Sequence, residues 1–120
     1  MNESQKTQKL LARTRIEVPD AYIRKVNERL SGGVPDIDIV IAGRSVRIEC
    51  KIEGNDLTEL QRRTMDKLAS AGAKCYVLVF VKAQPWPRFH IHSWAEYRDG
   101  LHSDTHCWIS LSHLLEEVAR

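Results

Sequence analysis

The chain has 120 residues, 42% of them hydrophobic and 28% charged, which excludes the low-hydrophobicity composition of disordered proteins and fits a single domain with its own core. No apolar run approaches the length that spans a bilayer, and Met1-Asn2-Glu3-Ser4-Gln5-Lys6 lacks the apolar stretch of a signal peptide, so a cytoplasmic protein is expected. The formal charge of +2 conceals a gradient: residues 1–30 hold seven Lys and Arg against four acids and residues 96–120 hold two against five, so the N-terminal part is compatible with a phosphate-bearing partner.

From Glu3 to about Ile16 the sequence predicts a surface helix with a thin apolar side of Leu10, Leu11 and Ile16. Val18-Pro19-Asp20-Ala21 ends it, because proline disfavours helix at the residue before it. Tyr22 to Val26 suits a short strand, or a helix begun at Pro19 and running to Leu30. The strand is the better reading, since the segment is short and ends in Ser31-Gly32-Gly33.

Residues 35–42 and 45–52 are rich in Ile and Val and flank Gly43-Arg44, which predicts a β-hairpin. Asp56 or Thr58 offers an N-cap and Thr58-x-x-Gln61 matches a capping box opening a helix; Leu57, Leu60, Thr64, Leu68 and Ala71 recur at helical spacing, and Gly72 is placed to end it. Cys75 to Val81 is a continuous apolar run, as in a central strand buried on both faces. Beyond Lys82, Pro85-Trp86-Pro87 reads as a rigid turn, 88–94 as a further strand, 95–107 as irregular, and Ser110 or Ser112 to Ala119 as a last helix. Cys50, Cys75 and Cys107 are an odd number without a C-x-x-C spacing, which points to reduced thiols.

The hairpin carries the chemistry. Side chains alternate along a strand, so Asp36 and Asp38 share one face and Ile37, Ile39 and Ile41 the other. Likewise Arg47, Glu49 and Lys51 oppose Val46, Ile48, Cys50 and Ile52. A loop at Gly43-Arg44 sets Asp36 across from Lys51 and Asp38 across from Glu49. A slip of two residues keeps these faces, whereas a slip of one would push the acids into the apolar layer. A hard divalent cation such as Mg²⁺ takes a few carboxylate and carbonyl oxygens. Asp36, Glu49 and the backbone carbonyl of Cys50 could supply them, with Lys51 orienting a nucleophile or neutralising a phosphate. The competing reading is a solvated sheet face with Asp36–Lys51 and Arg47–Asp38 as cross-strand ion pairs.

Gly33-Val34-Pro35-Asp36, Gly43-Arg44 with Val46, Ile48-Glu49-Cys50-Lys51, Leu57 to Gln61 and Ala71-Gly72-Ala73 follow one another in a pattern covering about residues 22–81. In these residues the sequence resembles the PD-(D/E)XK nuclease superfamily, and more narrowly its stand-alone VRR-NUC type found among phage and bacterial proteins. The resemblance implies an α/β fold of the restriction-endonuclease kind. Its αβββαβ core, with a mixed central sheet flanked by helices, would cover about residues 3–82, followed by an extension over 83–120. It also implies a Mg²⁺- or Mn²⁺-dependent endonuclease acting on branched or junction DNA as a homodimer, like a Holliday junction resolvase.

On the same resemblance Asp36 and Glu49 are the metal ligands, beside the Cys50 carbonyl, and Lys51 is the catalytic lysine. Gln61 would point into the site, unless its side chain closes the capping box with Thr58. Glu28 is a further outer metal ligand, and Arg24, Lys25 and Arg29 are contacts to the DNA backbone. The N-terminal helix offers only Glu3 where many relatives place an acid facing the metal. The alternative to an enzyme is a non-catalytic nucleic-acid-binding module that kept the fold.

Trp86, Phe89, Trp94 and Trp108 are either core residues or a surface for dimerisation or base stacking. His90, His92, His102, His106 and His113 all fall in the last 31 residues. His90-x-His92 with His102-x-x-x-His106-Cys107 could hold Zn²⁺, though surface or interface roles explain them equally well.

Overall fold

The computed structural model describes residues 2–26, 32–82, 88–100 and 107–120. In chain order the elements are α1 (Glu3–Glu17), β1 (Tyr22–Lys25), β2 (Ile37–Ile41), β3 (Arg44–Ile52), α2 (Glu59–Ser70), β4 (Lys74–Phe80), β5 (Phe89–Ser93), α3 (Trp94–Arg98) and α4 (Ser112–Ala119). The strands form one sheet in the order β1-β2-β3-β4-β5, antiparallel except that β3 and β4 run parallel. Parallel neighbours need a crossover, and α2 supplies it. The αβββαβ order and the mixed sheet expected from the sequence are therefore both present.

Local chemistry explains the main boundaries. Residues 22–25 are a strand because Ile23 pairs with Ile39 and is buried on β2. At the start of α2, Thr58 Oγ1 accepts from the Gln61 N–H at 3.2 Å and Gln61 Oε1 accepts from the Thr58 N–H at 2.9 Å, closing the capping box. Gly72, at φ +102°, takes the left-handed conformation that follows the end of that helix.

Both faces of the sheet are covered. On one, Leu10 and Leu11 of α1 and Leu115 and Val118 of α4 pack against Ile37, Ile39, Val46, Ile48, Leu78, Phe80 and Phe89. On the other, Met65 of α2 and Trp94 of α3 pack with Leu57, Cys75 and Val77. Hence β4 is buried on both sides, as its unbroken apolar run predicts.

Two expectations are corrected. The hairpin turns at Ala42-Gly43 rather than Gly43-Arg44, pairing Ile41 with Arg44 and Asp38 with Arg47. Ala42 (φ 50°) and Gly43 (φ 73°) both adopt positive φ, the requirement of the turn that matches strand twist, and Arg44 is left in extended pairing with its guanidinium donating to the Val118 carbonyl. The register is thus two residues from the expected one, with every face preserved. A non-glycine residue in this region costs about 1 kcal/mol, so Ala42→Gly is expected to stabilise the protein by up to about 1 kcal/mol in urea denaturation.

Trp94, expected to end a strand, and residues 95–98, expected to be irregular, form α3. The signal was Ser93-x-x-Glu96: the Ser93 hydroxyl accepts from the Glu96 N–H at 3.3 Å and donates to Glu96 Oε1 at 2.9 Å. The extension that follows β4 contributes to the core: β5 pairs with β4, and Phe89, Leu111 and Leu115 are fully buried. The Pro85-Trp86-Pro87 turn lies outside the described residues.

Candidate active site

The corrected register changes which side chains meet. Extending the pairing of Ile37 with Ile48 by one residue sets Asp36 across from Glu49, not from Lys51. Asp36 Oδ2 accepts from the Cys50 N–H at 2.8 Å, and the Asp36 and Glu49 carboxyls are hydrogen-bonded to each other. The N–H and C=O of a strand residue project to the same edge, so the Cys50 carbonyl faces the side on which Asp36 lies. The Cys50 thiol points the other way, fully buried and in contact with the Thr7 hydroxyl of α1.

Glu49 is only 2% exposed. Burial pushes its carboxyl up to about 10, and the hydrogen bond and charge of Asp36 push in the same direction; Lys51 opposes them. Two carboxyls in this position cannot both ionise without help, so the pair retains a proton at neutral pH. A site that replaces a shared proton with a cation has this donor set, and a divalent cation fits it.

Lys51 lies on the same strand face as Glu49 and acts electrostatically on it. Glu3, in the first turn of α1, is also raised, by burial first and then by Asp36, while Lys51 and Lys25 act to lower it. Glu3 therefore belongs to the charge cluster, which its position near the chain start made doubtful from sequence alone. Among the described residues, no group of three or more His, Cys, Asp and Glu side chains is placed to hold a metal unaided. The carboxylate donors that meet are the pair Asp36 and Glu49, with Glu3 at longer range.

The remaining sequence candidates are distributed as follows. Gln61 Oε1 is engaged in the capping box. Arg24, whose side chain is 56% exposed, stands 3.2 Å from Asp38, and Arg47 Nε is 3.5 Å from the same carboxylate. That second contact is an ion pair without hydrogen-bond geometry, since Arg47 Nε is buried without a hydrogen-bond partner. Lys25 donates to Ser4 Oγ at 2.6 Å. Glu28 and Arg29 lie outside the described residues, as do His102, His106 and Trp86.

Of the aromatic and histidine candidates, Phe89 and Trp94 are core, and Trp108 packs against the larger core. His90 and His92 are buried side by side on β5, and the Cys107 sulfur lies 3.9 Å from His90 Nε2. His113 is stacked on Trp108 and stands 3.5 Å from Glu117.

The strap leading into Asp36 is held against α2. A Cβ at Gly33 would stand 2.8 Å from both Leu60 Cγ and Thr64 Oγ1, closer than packed atoms tolerate. Gly33→Ala is expected to displace the strap and cost about 1–3 kcal/mol, read as a lowered denaturation midpoint with unchanged slope.

No protein-family profile and no curated protein sequence matches the chain. Among solved structures, it is similar to a Holliday junction resolvase of the archaeal hyperthermophile Archaeoglobus fulgidus, with a TM-score of 0.57 and 14% identity over 78% of this chain and 73% of that one. The likeness is one of fold: the chain has the mixed, helix-flanked sheet of resolvases and restriction endonucleases.

Proposed function

We propose that the protein is a Mg²⁺- or Mn²⁺-dependent endonuclease that hydrolyses DNA phosphodiester bonds. In this reading it belongs to the PD-(D/E)XK superfamily, nearer the stand-alone VRR-NUC type, and selects branched or junction DNA. The observation that carries the reading is the buried, proton-sharing pair Asp36–Glu49 with Lys51 on the same face of the sheet. The fold shared with a Holliday junction resolvase supports the choice of a branched substrate.

Asp36 and Glu49 would hold the cation, with the Cys50 carbonyl beside them and Glu3 adding negative charge from α1. When bound, the cation supplies Lewis-acid activation of water and neutralises charge on the phosphate. Lys51 is positioned by β3 to meet the scissile phosphate or orient the attacking water. In this reading Gln61 would serve the site only by leaving its capping bond to Thr58, and Arg24 would contact the DNA backbone; a homodimer would present two such sites to two strands. Among the described residues no helix is long and apolar enough to cross a membrane.

The test is incubation with a fluorescent four-way junction, a flap and a plain duplex in Mg²⁺, Mn²⁺ or EDTA. Cleavage of a branched substrate in either metal and none in EDTA is the expected result. Retained binding with no cleavage of any substrate in either metal would establish the non-catalytic binding module instead.

A further inference from the structure

We propose that Lys6 and Lys25 are positioning residues that clamp the first turn of α1 across the end of the sheet, holding Glu3 beside the Asp36–Glu49 pair so that its charge strengthens the hold on a divalent cation. The inference rests on the metal-site reading above.

α1 is an unusual core helix. Its buried residues are Lys6, Thr7, Leu10, Leu11 and Thr14, so only two of the five are apolar. Lys6 is 3% exposed, and burying an ammonium is costly unless it is hydrogen-bonded. Its Nζ donates to the Val81 carbonyl just beyond β4 at 3.0 Å and lies 5.9 Å from the Phe80 ring centroid. On the other side, Lys25 of β1 donates to Ser4 Oγ at 2.6 Å.

The two anchors bracket the site. In the sheet order, β2 and β3 lie between β1 and β4, and these are the strands that present Asp36 and Glu49. Glu3 is one residue before Ser4 and three before Lys6, so two tertiary bonds fix the turn that carries it. Lys51 and Lys25 act electrostatically on Glu3, while the bond from Lys6 to the Val81 carbonyl holds the turn that carries it. Thr7 against the Cys50 thiol locates the same turn over β3.

The experiment is Mn²⁺ titration calorimetry on the whole chain, with no DNA present. Lys6→Met keeps the apolar stem and removes the donor; a Kd about tenfold weaker is expected, with a similar loss in Glu3→Gln. The double variant is expected to bind no more weakly than Glu3→Gln alone, and Lys6→Arg, which can still donate to Val81, to recover most of the affinity. Thermal unfolding without metal checks that Lys6→Met folds, and if it does not, Ser4→Ala, which removes the acceptor of the second anchor and leaves the Lys25 charge in place, is expected to show the same loss. Unchanged affinity in the folded variants, or losses that multiply in the double variant, would overturn the clamp. Absence of Mn²⁺ binding by the parent chain would instead overturn the metal site on which the clamp depends.

Discussion

Asp36→Asn and Lys51→Ala are each expected to slow DNA cleavage by about 10²–10³-fold or more, with Asp36→Asn losing metal affinity as well. The choice of asparagine matters. Asp36 Oδ2 accepts the Cys50 N–H, so alanine would orphan a half-buried backbone donor at a cost of about 1–3 kcal/mol, confusing lost chemistry with lost folding. Asparagine keeps an acceptor for that bond and removes the charge. Lys51 needs no such care, because its side chain is half-buried and no hydrogen bond from it to a backbone group is found among the described residues. Junction cleavage by both folded variants at the parental rate would show that the reacting site lies elsewhere.

Glu49→Gln is expected to inactivate the protein and, in the absence of metal, to stabilise it increasingly as pH rises. The folded state holds the Glu49 proton up to about pH 10, whereas the unfolded chain releases it near the ordinary value of 4.5. A raised carboxyl binds more protons folded than unfolded, so its contribution is intact below about pH 4.5 and is lost as pH climbs toward 10. The slope is at most about 1.4 kcal/mol per pH unit. Glutamine carries no such proton, and its denaturation midpoint in EDTA should diverge upward from the parent's between pH 5 and 9. Mg²⁺ should stabilise the parent and leave the variant unchanged. Parallel pH profiles for the two proteins would remove the buried acid pair from the explanation.

Much of the site could be read before any coordinates. The period-two pattern in 37–41 and 45–52 put Asp36, Glu49 and Lys51 on one face because a one-residue slip would bury charge. Thr58-x-x-Gln61 marked one of two candidate starts of α2, beside Asp56, and it is the one the structure adopts; there the capping reading of Gln61 accounts for its carbonyl oxygen. Lys25, expected to contact DNA, donates to Ser4 in this structure, a long-range contact to which no local pattern points. Ser93-x-x-Glu96 was as plain a signal as Thr58-x-x-Gln61, but it opens a helix of a single turn, too short to show an apolar period.

The sequence by itself determined the order of elements from α1 to β4, the polar and apolar faces of the hairpin and the identity of the acids and the lysine, because these follow from local periodicity and steric preference. Only the tertiary structure decided who meets whom. Positive φ at Ala42 and Gly43 moved the pairing by two residues and set Asp36 on Glu49 rather than on Lys51. Packing of α1 brought Glu3 and the buried ammonium of Lys6 to the end of the sheet, and covering of Glu49 turned an ordinary carboxylate into a proton-holding acid. Desolvation and long-range charge depend on what the rest of the chain places overhead, and no window of neighbouring residues carries that information.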